Sequence, residues 1–160
     1  MLSLRTVTPD TLELLKALMS APELSSLRLV GGTALALQYG HRVSVDLDLF
    51  GEVTIDKFEL LTLLQGLGEV RVINETKNIH QYFVNGIKVD IVNYPYSWID
   101  APVEDDSIRL ASPKDIAALK INAIEGRGTK KDFIDIYLLL QHYSLEEILT
   151  SYQQKYPDYS

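Results

Sequence analysis

Leu29-Val-Gly-Gly-Thr-Ala-Leu-Ala-Leu-Gln-Tyr-Gly-His-Arg-Val-Ser-Val-Asp-Leu-Asp-Leu-Phe50 is the stretch on which the fold turns. It closes on Asp46-x-Asp48, two carboxylates separated by one apolar residue. In a strand, residues i and i+2 lie on the same side. Leu47 and Leu49 are therefore expected to face the core while Asp46 and Asp48 project together. Two like charges held that close repel, and one resists ionisation unless a cation lies between them. Oxygen-only ligands suit Mg²⁺. Upstream, Gly31-Gly32-Thr33 separates a short apolar run over 27–30 from a helical-looking Ala34–Tyr39. A glycine pair lets a backbone approach a ligand closely, and a helix N-terminus can hold a phosphate. A lone Gly-Gly is most often a turn, and a lone Asp-x-Asp most often a solvated strand face. In this order one geometry explains both: a phosphate cradle beside a carboxylate pair, suited to a nucleotide.

The chain has 160 residues, enough for one domain with a substantial core but not for two ordinary ones. Hydrophobic residues make up 46% and charged residues 23%, the balance of an ordinary globular protein. The absence of cysteine excludes disulfides, zinc–thiolate sites and a thiol nucleophile. Arg5, Asp10, Glu13 and Lys16 interrupt the N-terminal region, so no signal-peptide core is expected there. No apolar run approaches membrane-spanning length, which points to a cytoplasmic chain without a membrane partner. The net charge of −7 argues against an extended nucleic-acid platform. Arg109–Lys131 stands apart, with six basic residues against two acidic ones. A basic surface opposite a carboxylate cluster suits a phosphate-handling cleft, although a solvated helix face is the commoner meaning of such charge.

Helix signals open at Thr8-Pro9, with Leu12, Leu15, Leu18 and Met19 as the apolar stripe, and at Ser112-Pro113-Lys114-Asp115. Strands are expected at 27–30, Ser44–Phe50, Glu69–Asn74, Ile79–Val84 and Ile87–Asn93. Asn85-Gly86 is a two-residue hairpin signal joining the last two. Helical spacing over Ile55–Leu67 places Phe58, Leu61, Leu64 and Leu67 on an apolar face. Thr129 caps a helix over Lys130–His142, with Ile134, Tyr137, Leu138 and Gln141 on one face, and a short helix is expected over Ser144–Gln154. Pro95–Asp106 reads as a loop with a short edge segment, and Tyr156–Ser160 as a frayed end. Antiparallel strands, a hairpin and C-terminal helices argue for an α+β fold with a mixed, mostly antiparallel sheet. The division falls at about 1–107 for an α/β core and about 108–160 for a helical part of one domain.

Gly31-Gly32-Thr33, Asp46-x-Asp48 and the strand carboxylate Asp90 resemble the nucleotidyltransferase superfamily with the DNA polymerase β-like fold. The stretches GGTALALQYGHRVSVDLDLF, KVDIV and SPKDIAALKINAIEGRGTKKDFIDIYLLL look more narrowly like the AbiEii/AbiGii toxin family, over about Leu29 to Leu140. That resemblance implies a nucleotide-binding turn at Gly31, Gly32 and Thr33 and a metal set of Asp46, Asp48 and Asp90. It makes Lys120 the lysine near the nucleotide phosphates and Arg127 a basic nucleotide contact. Lys131-Asp132-x-x-Asp135 matches the family's (Lys/Arg)-Asp-x-x-Asp element, which adds Asp132 to the catalytic set of Asp46, Asp48, Asp90 and Lys120. Thr33 stands where many relatives have serine and keeps the hydroxyl. The group usually has a longer C-terminal helical part, which leaves the acceptor open.

The activity so implied is metal-dependent transfer of a nucleoside monophosphate from an NTP, with two Mg²⁺ ions, to an acceptor hydroxyl. An RNA end, tRNA among them, is the family acceptor, and a separately encoded antitoxin the expected partner. A small cationic acceptor of the aminoglycoside type, or a protein acceptor, fits the −7 charge. A non-catalytic nucleotide-binding module is the remaining reading, and three carboxylates plus Lys120 speak against it. Arg42 is expected to offset one carboxylate of the pair; His41, His80 and His142 lack ligand spacing and suggest surface or capping roles. Tyr94, Tyr96 and Trp98 are expected to pack on the sheet edge.

Overall fold

The computed structural model describes residues 1–126 and 128–157. Six α-helices are present among them: α1 Pro9–Ser20, α2 Gly31–Tyr39, α3 Lys57–Gln65, α4 Pro113–Gly126, α5 Lys130–His142 and α6 Leu145–Lys155. Seven strands, β1 Arg28–Val30, β2 Leu47–Gly51, β3 Val70–Glu75, β4 Ile79–Val84, β5 Ile87–Asn93, β6 Val103–Asp105 and β7 Ile108–Leu110, form one sheet. Its order is β3-β4-β5-β2-β1-β7-β6. The junctions β1/β7 and β2/β5 are parallel and the rest antiparallel, giving the mixed, mostly antiparallel sheet of an α+β fold.

Local chemistry sets the element ends. Thr8 accepts from Thr11 N–H at the start of α1, with Pro9 in the first turn. Asn85 and Gly86 both take positive φ, as a two-residue hairpin requires. Ser112 and Asp115 exchange hydrogen bonds at the start of α4, and Thr129 and Asp132 form a capping box on α5. Alternation then places the core: Leu47 and Leu49 of β2 and Val89 and Ile91 of β5 are buried, packed with Leu15, Leu18, Leu35 and Leu60.

Several expectations change. β2 begins at Leu47, so Asp46 precedes the strand and is not part of it. β7 lies beyond residue 107 and pairs with β1, so the helical part begins at Pro113. Phe58 is 69% exposed because Leu60 and Leu64 form the inward face of α3. On α5 the inward face carries Asp135, Leu138 and Leu139, leaving Ile134 and Tyr137 exposed. Tyr156 is buried rather than frayed, its hydroxyl hydrogen-bonded to Tyr94. Residues 158–160 of the expected frayed end lie outside the described residues.

Helix α6 is fastened by a buried ion pair. Lys155 Nζ lies 2.7 Å from Asp115 Oδ1, both side chains fully buried, and also donates to the Ser97 carbonyl. Its ammonium sits over the rings of Tyr94 and Trp98. The aromatic run after β5 thus packs around Lys155 and Tyr156, with Tyr94 also against Phe50 of the central strand β2, and not on the sheet edge.

Candidate active site

A cleft of about 480 Å³ opens between the sheet and the α4–α5 pair. Asp46, Asp48 and Asp90 line one wall; Lys120, Lys131 and Asp132 line the other; Gly32 and Thr33 lie at the start of α2. The sheet register explains the first wall. β2 and β5 run parallel with Asp48 directly opposite Asp90, and alternation turns both away from the leucine, valine and isoleucine core. Asp46 is brought to the same place by Thr33, whose buried hydroxyl is hydrogen-bonded to the Asp46 carbonyl and, at 2.6 Å, to Ser44 Oγ.

The glycine pair serves this wall as much as any ligand. Gly31 has φ +72°, and a Cβ there would lie 2.6 Å from Asp48 Oδ2. A Cβ on Gly32 would collide with the Arg42 guanidinium. Gly31 thus makes room for Asp48 and Gly32 for Arg42. The N-cap residue of α2, Val30, nonetheless makes no side-chain hydrogen bond to the first turn, and Gly32 faces the cleft, as a phosphate-binding helix start requires.

Electrostatics divide the two walls. The Asp48 carboxyl is pushed up to about 7, by burial first and by Asp90 next, with Asp46 adding and Lys88 and Lys120 opposing. Asp90 Oδ1 is buried without a hydrogen-bond partner among the described residues. Behind the other wall Asp135, with no exposed side-chain surface, receives both Nε and Nη2 of Arg42, at 2.8 and 2.9 Å. His41 Nε2 lies 2.6 Å from the same carboxylate and Lys120 Nζ 3.0 Å from it. Burial alone would raise the Asp135 pKa; the hydrogen bonds from Arg42, His41 and Lys120 hold it well below the usual carboxylate range. Lys120 also reaches Asp132 at 3.0 Å.

The AbiEii nucleotidyl transferase toxin family, of type IV toxin–antitoxin systems, matches residues 13–156. The chain belongs to this family. It is 33% identical over 159 residues to the Aquifex aeolicus protein aq_aa25, an alignment covering 96% of this chain and 77% of that one. Among solved structures, ANT(2")-Ia in complex with adenylyl-2"-tobramycin is 20% identical, covers 96% of this chain and 100% of its own, and has a TM-score of 0.68. JHP933 from Helicobacter pylori is 19% identical, with 95% and 81% covered and a TM-score of 0.61. This AbiEii member is therefore a nucleotidyltransferase, with an NTP as its substrate.

Several AbiEii motif residues have partners that the sequence did not disclose. Arg42 serves Asp135, not the Asp46/Asp48 pair, because Gly32 lets its guanidinium lie against α2 and reach α5. His41 is an inward partner of Asp135 and not a surface residue. His80 is buried, with Nδ1 3.4 Å from Glu75, so neither surface nor cap describes it. Thr33 has its hydroxyl committed to Ser44 and Asp46. Asp132 caps α5 and pairs with Lys120 while facing the cleft. Arg127 lies outside the described residues. Arg109 is anchored on the carbonyls of Met19, Leu24 and Leu27, so the basic segment does not form one continuous surface. Gln81 and Lys88 were missed, although the hairpin register signalled Gln81: counting back from Asn85-Gly86 sets it opposite Asp90.

Proposed function

We propose that the protein moves a nucleoside monophosphate from an NTP to an acceptor hydroxyl and releases pyrophosphate, with Asp46, Asp48 and Asp90 holding two Mg²⁺ ions. The observation that carries this is the juxtaposition of Asp48 and Asp90 across β2 and β5, with Asp46 lining the same cleft and Asp90 Oδ1 without a hydrogen-bond partner among the described residues. Hard carboxylate oxygens with surplus negative charge fit a hard divalent cation. Such ions, when bound, stabilise the attacking and leaving oxygens of an in-line displacement. The chain's residues supply the rest. The first turn of α2 offers backbone N–H groups to the triphosphate, and Lys131, exposed on the cleft wall, offers a charge. Lys120 contributes positive charge from a fixed position between Asp132 and Asp135. No helix among the described residues is long and apolar enough to cross a membrane.

The acceptor we favour is an RNA end, with a cognate antitoxin restraining the activity in the cytoplasm, in keeping with the family's description as a type IV toxin. A second reading, a cationic aminoglycoside acceptor, is favoured by the net charge of −7 and the likeness to ANT(2")-Ia. One experiment separates them: each α-labelled NTP is incubated with Mg²⁺ and either total RNA or a mixture of aminoglycosides. Label in an RNA band supports the first reading and label in a drug conjugate the second. Label in neither, with no pyrophosphate released, contradicts both.

A further inference from the structure

Asp90 lies where two strand registers cross. Asp48 sits opposite it on β2, and Gln81 sits opposite it on β4. Lys88 is two residues earlier on β5 and shares its face. Its two carboxylate oxygens differ. Oδ2 accepts from Lys88 Nζ at 3.1 Å and from Gln81 Nε2 at 3.2 Å. Oδ1 is buried and, among the described residues, has no hydrogen-bond partner. Two donors on one oxygen thus fix the carboxylate plane and leave the other oxygen for a ligand.

Resting on the metal-site reading above, the geometry points to Lys88 as the resident counter-cation of the carboxylate cluster. Its ammonium holds Asp90 Oδ2 and offsets the crowded negative charge while no divalent ion is bound. By the same charge it weakens the cluster's hold on such an ion. Gln81 secures the same oxygen without a charge, so orientation of Oδ1 does not need Lys88. What Lys88 adds is electrostatic. A cluster that keeps a cation of its own folds without metal. It takes up the divalent ion most readily together with the negative charge of a nucleotide's phosphates. Lys88 in this sense sets the order of loading.

The test is Mn²⁺ binding to the whole protein without nucleotide, followed by the electron paramagnetic resonance signal of the free ion. Lys88→Met is expected to bind Mn²⁺ about ten-fold more tightly than wild type, since a unit charge beside a divalent ion is removed. Lys88→Arg should stay near wild type. Gln81→Leu, which removes a donor from the same oxygen without changing charge, should bind no more tightly than wild type. Lys88 is 35% exposed, so the substitution should fold; Lys88→Gln gives the same comparison if methionine does not. In melting experiments Mn²⁺ should raise the midpoint of Lys88→Met more than that of wild type. Equal affinity in wild type and Lys88→Met overturns the counter-cation role alone. Equal tightening in Gln81→Leu also overturns it. Failure of every variant to bind Mn²⁺ overturns the metal site itself, and this inference with it.

Discussion

Desolvation acts on an aspartate at each side of the cleft, half-buried Asp48 on the sheet wall and fully buried Asp135 behind the helical wall, yet the outcomes are opposite. On the sheet wall, Asp48 has Asp46 and Asp90 as neighbours, and its carboxyl rises to about 7. Behind the helical wall, Asp135 has Arg42, His41 and Lys120, and its carboxyl falls well below the usual range. Burial pushes both upward; the partners decide the sign. A charge network matched within the protein fastens elements together, here α2, α4 and α5. A cluster with surplus charge is costly in the free protein and is relieved by a ligand. In the two clusters the partners of a carboxylate, more than its depth, set the direction of its shift.

The contrast breaks most sharply at Asp48. Asp48→Asn should abolish nucleotidyl transfer, while the metal-free protein melts no lower than wild type, because one of three repelling charges is gone. Full activity in this variant would remove the sheet wall from the chemistry. Asp135→Asn should do the reverse to stability. It leaves Arg42 and Lys120 without their shared partner, and loss of one side of a buried ion network costs about 3–5 kcal/mol. For a chain of this size that is a fall of roughly 10 °C in the melting midpoint, read by calorimetry.

The pH dependence sharpens the same comparison. The folded value of Asp48, about 7, lies above the unfolded carboxylate value of about 4, so the folded protein holds the extra proton between them. Metal-free stability should therefore fall as pH rises from about 4 to about 7, by a few kcal/mol at most, and level off above. Asp48→Asn should flatten that slope. Asp135 has the opposite sign: its lowered folded value gives stability present above about pH 4 and lost as pH drops further. The smallest effect is at Lys120. Lys120→Ala should weaken binding of a non-hydrolysable NTP by about ten-fold, the scale of one charge-assisted contact. Lys114→Ala, in the first turn of the same helix, should change it little. Equal small losses, measured at one salt concentration, would mean a diffuse basic surface.

The sheet wall was legible because it is written in local periodicities. Alternation in β2 and β5 and the Asn85-Gly86 hairpin fix faces and register from neighbours in sequence. The helical wall was not, because its bonds join residues far apart: Arg42 and His41 reach Asp135 more than ninety residues away. Nothing local distinguishes Arg42 serving Asp135 from Arg42 serving Asp46. The apolar face of α5 was misassigned for the same reason. A helix that turns Asp135 inward to meet those cations must turn Ile134 and Tyr137 outward. The glycine pair was legible as a place of close approach, but what approaches Gly31 and Gly32 is the protein's own Asp48 and Arg42.

The central claim is that unmatched charge on the sheet wall, and not the acidic groups of the helical wall, holds the divalent ion. Anomalous scattering from crystals grown with Mn²⁺ and a non-hydrolysable NTP tests it directly. The expected result is a peak among Asp46, Asp48 and Asp90, with Asp90 Oδ1 at coordination distance of about 2.1 Å and the nucleotide phosphates completing the shell. A peak at Asp132 or Asp135, or bound nucleotide with no peak at the three carboxylates, would contradict it.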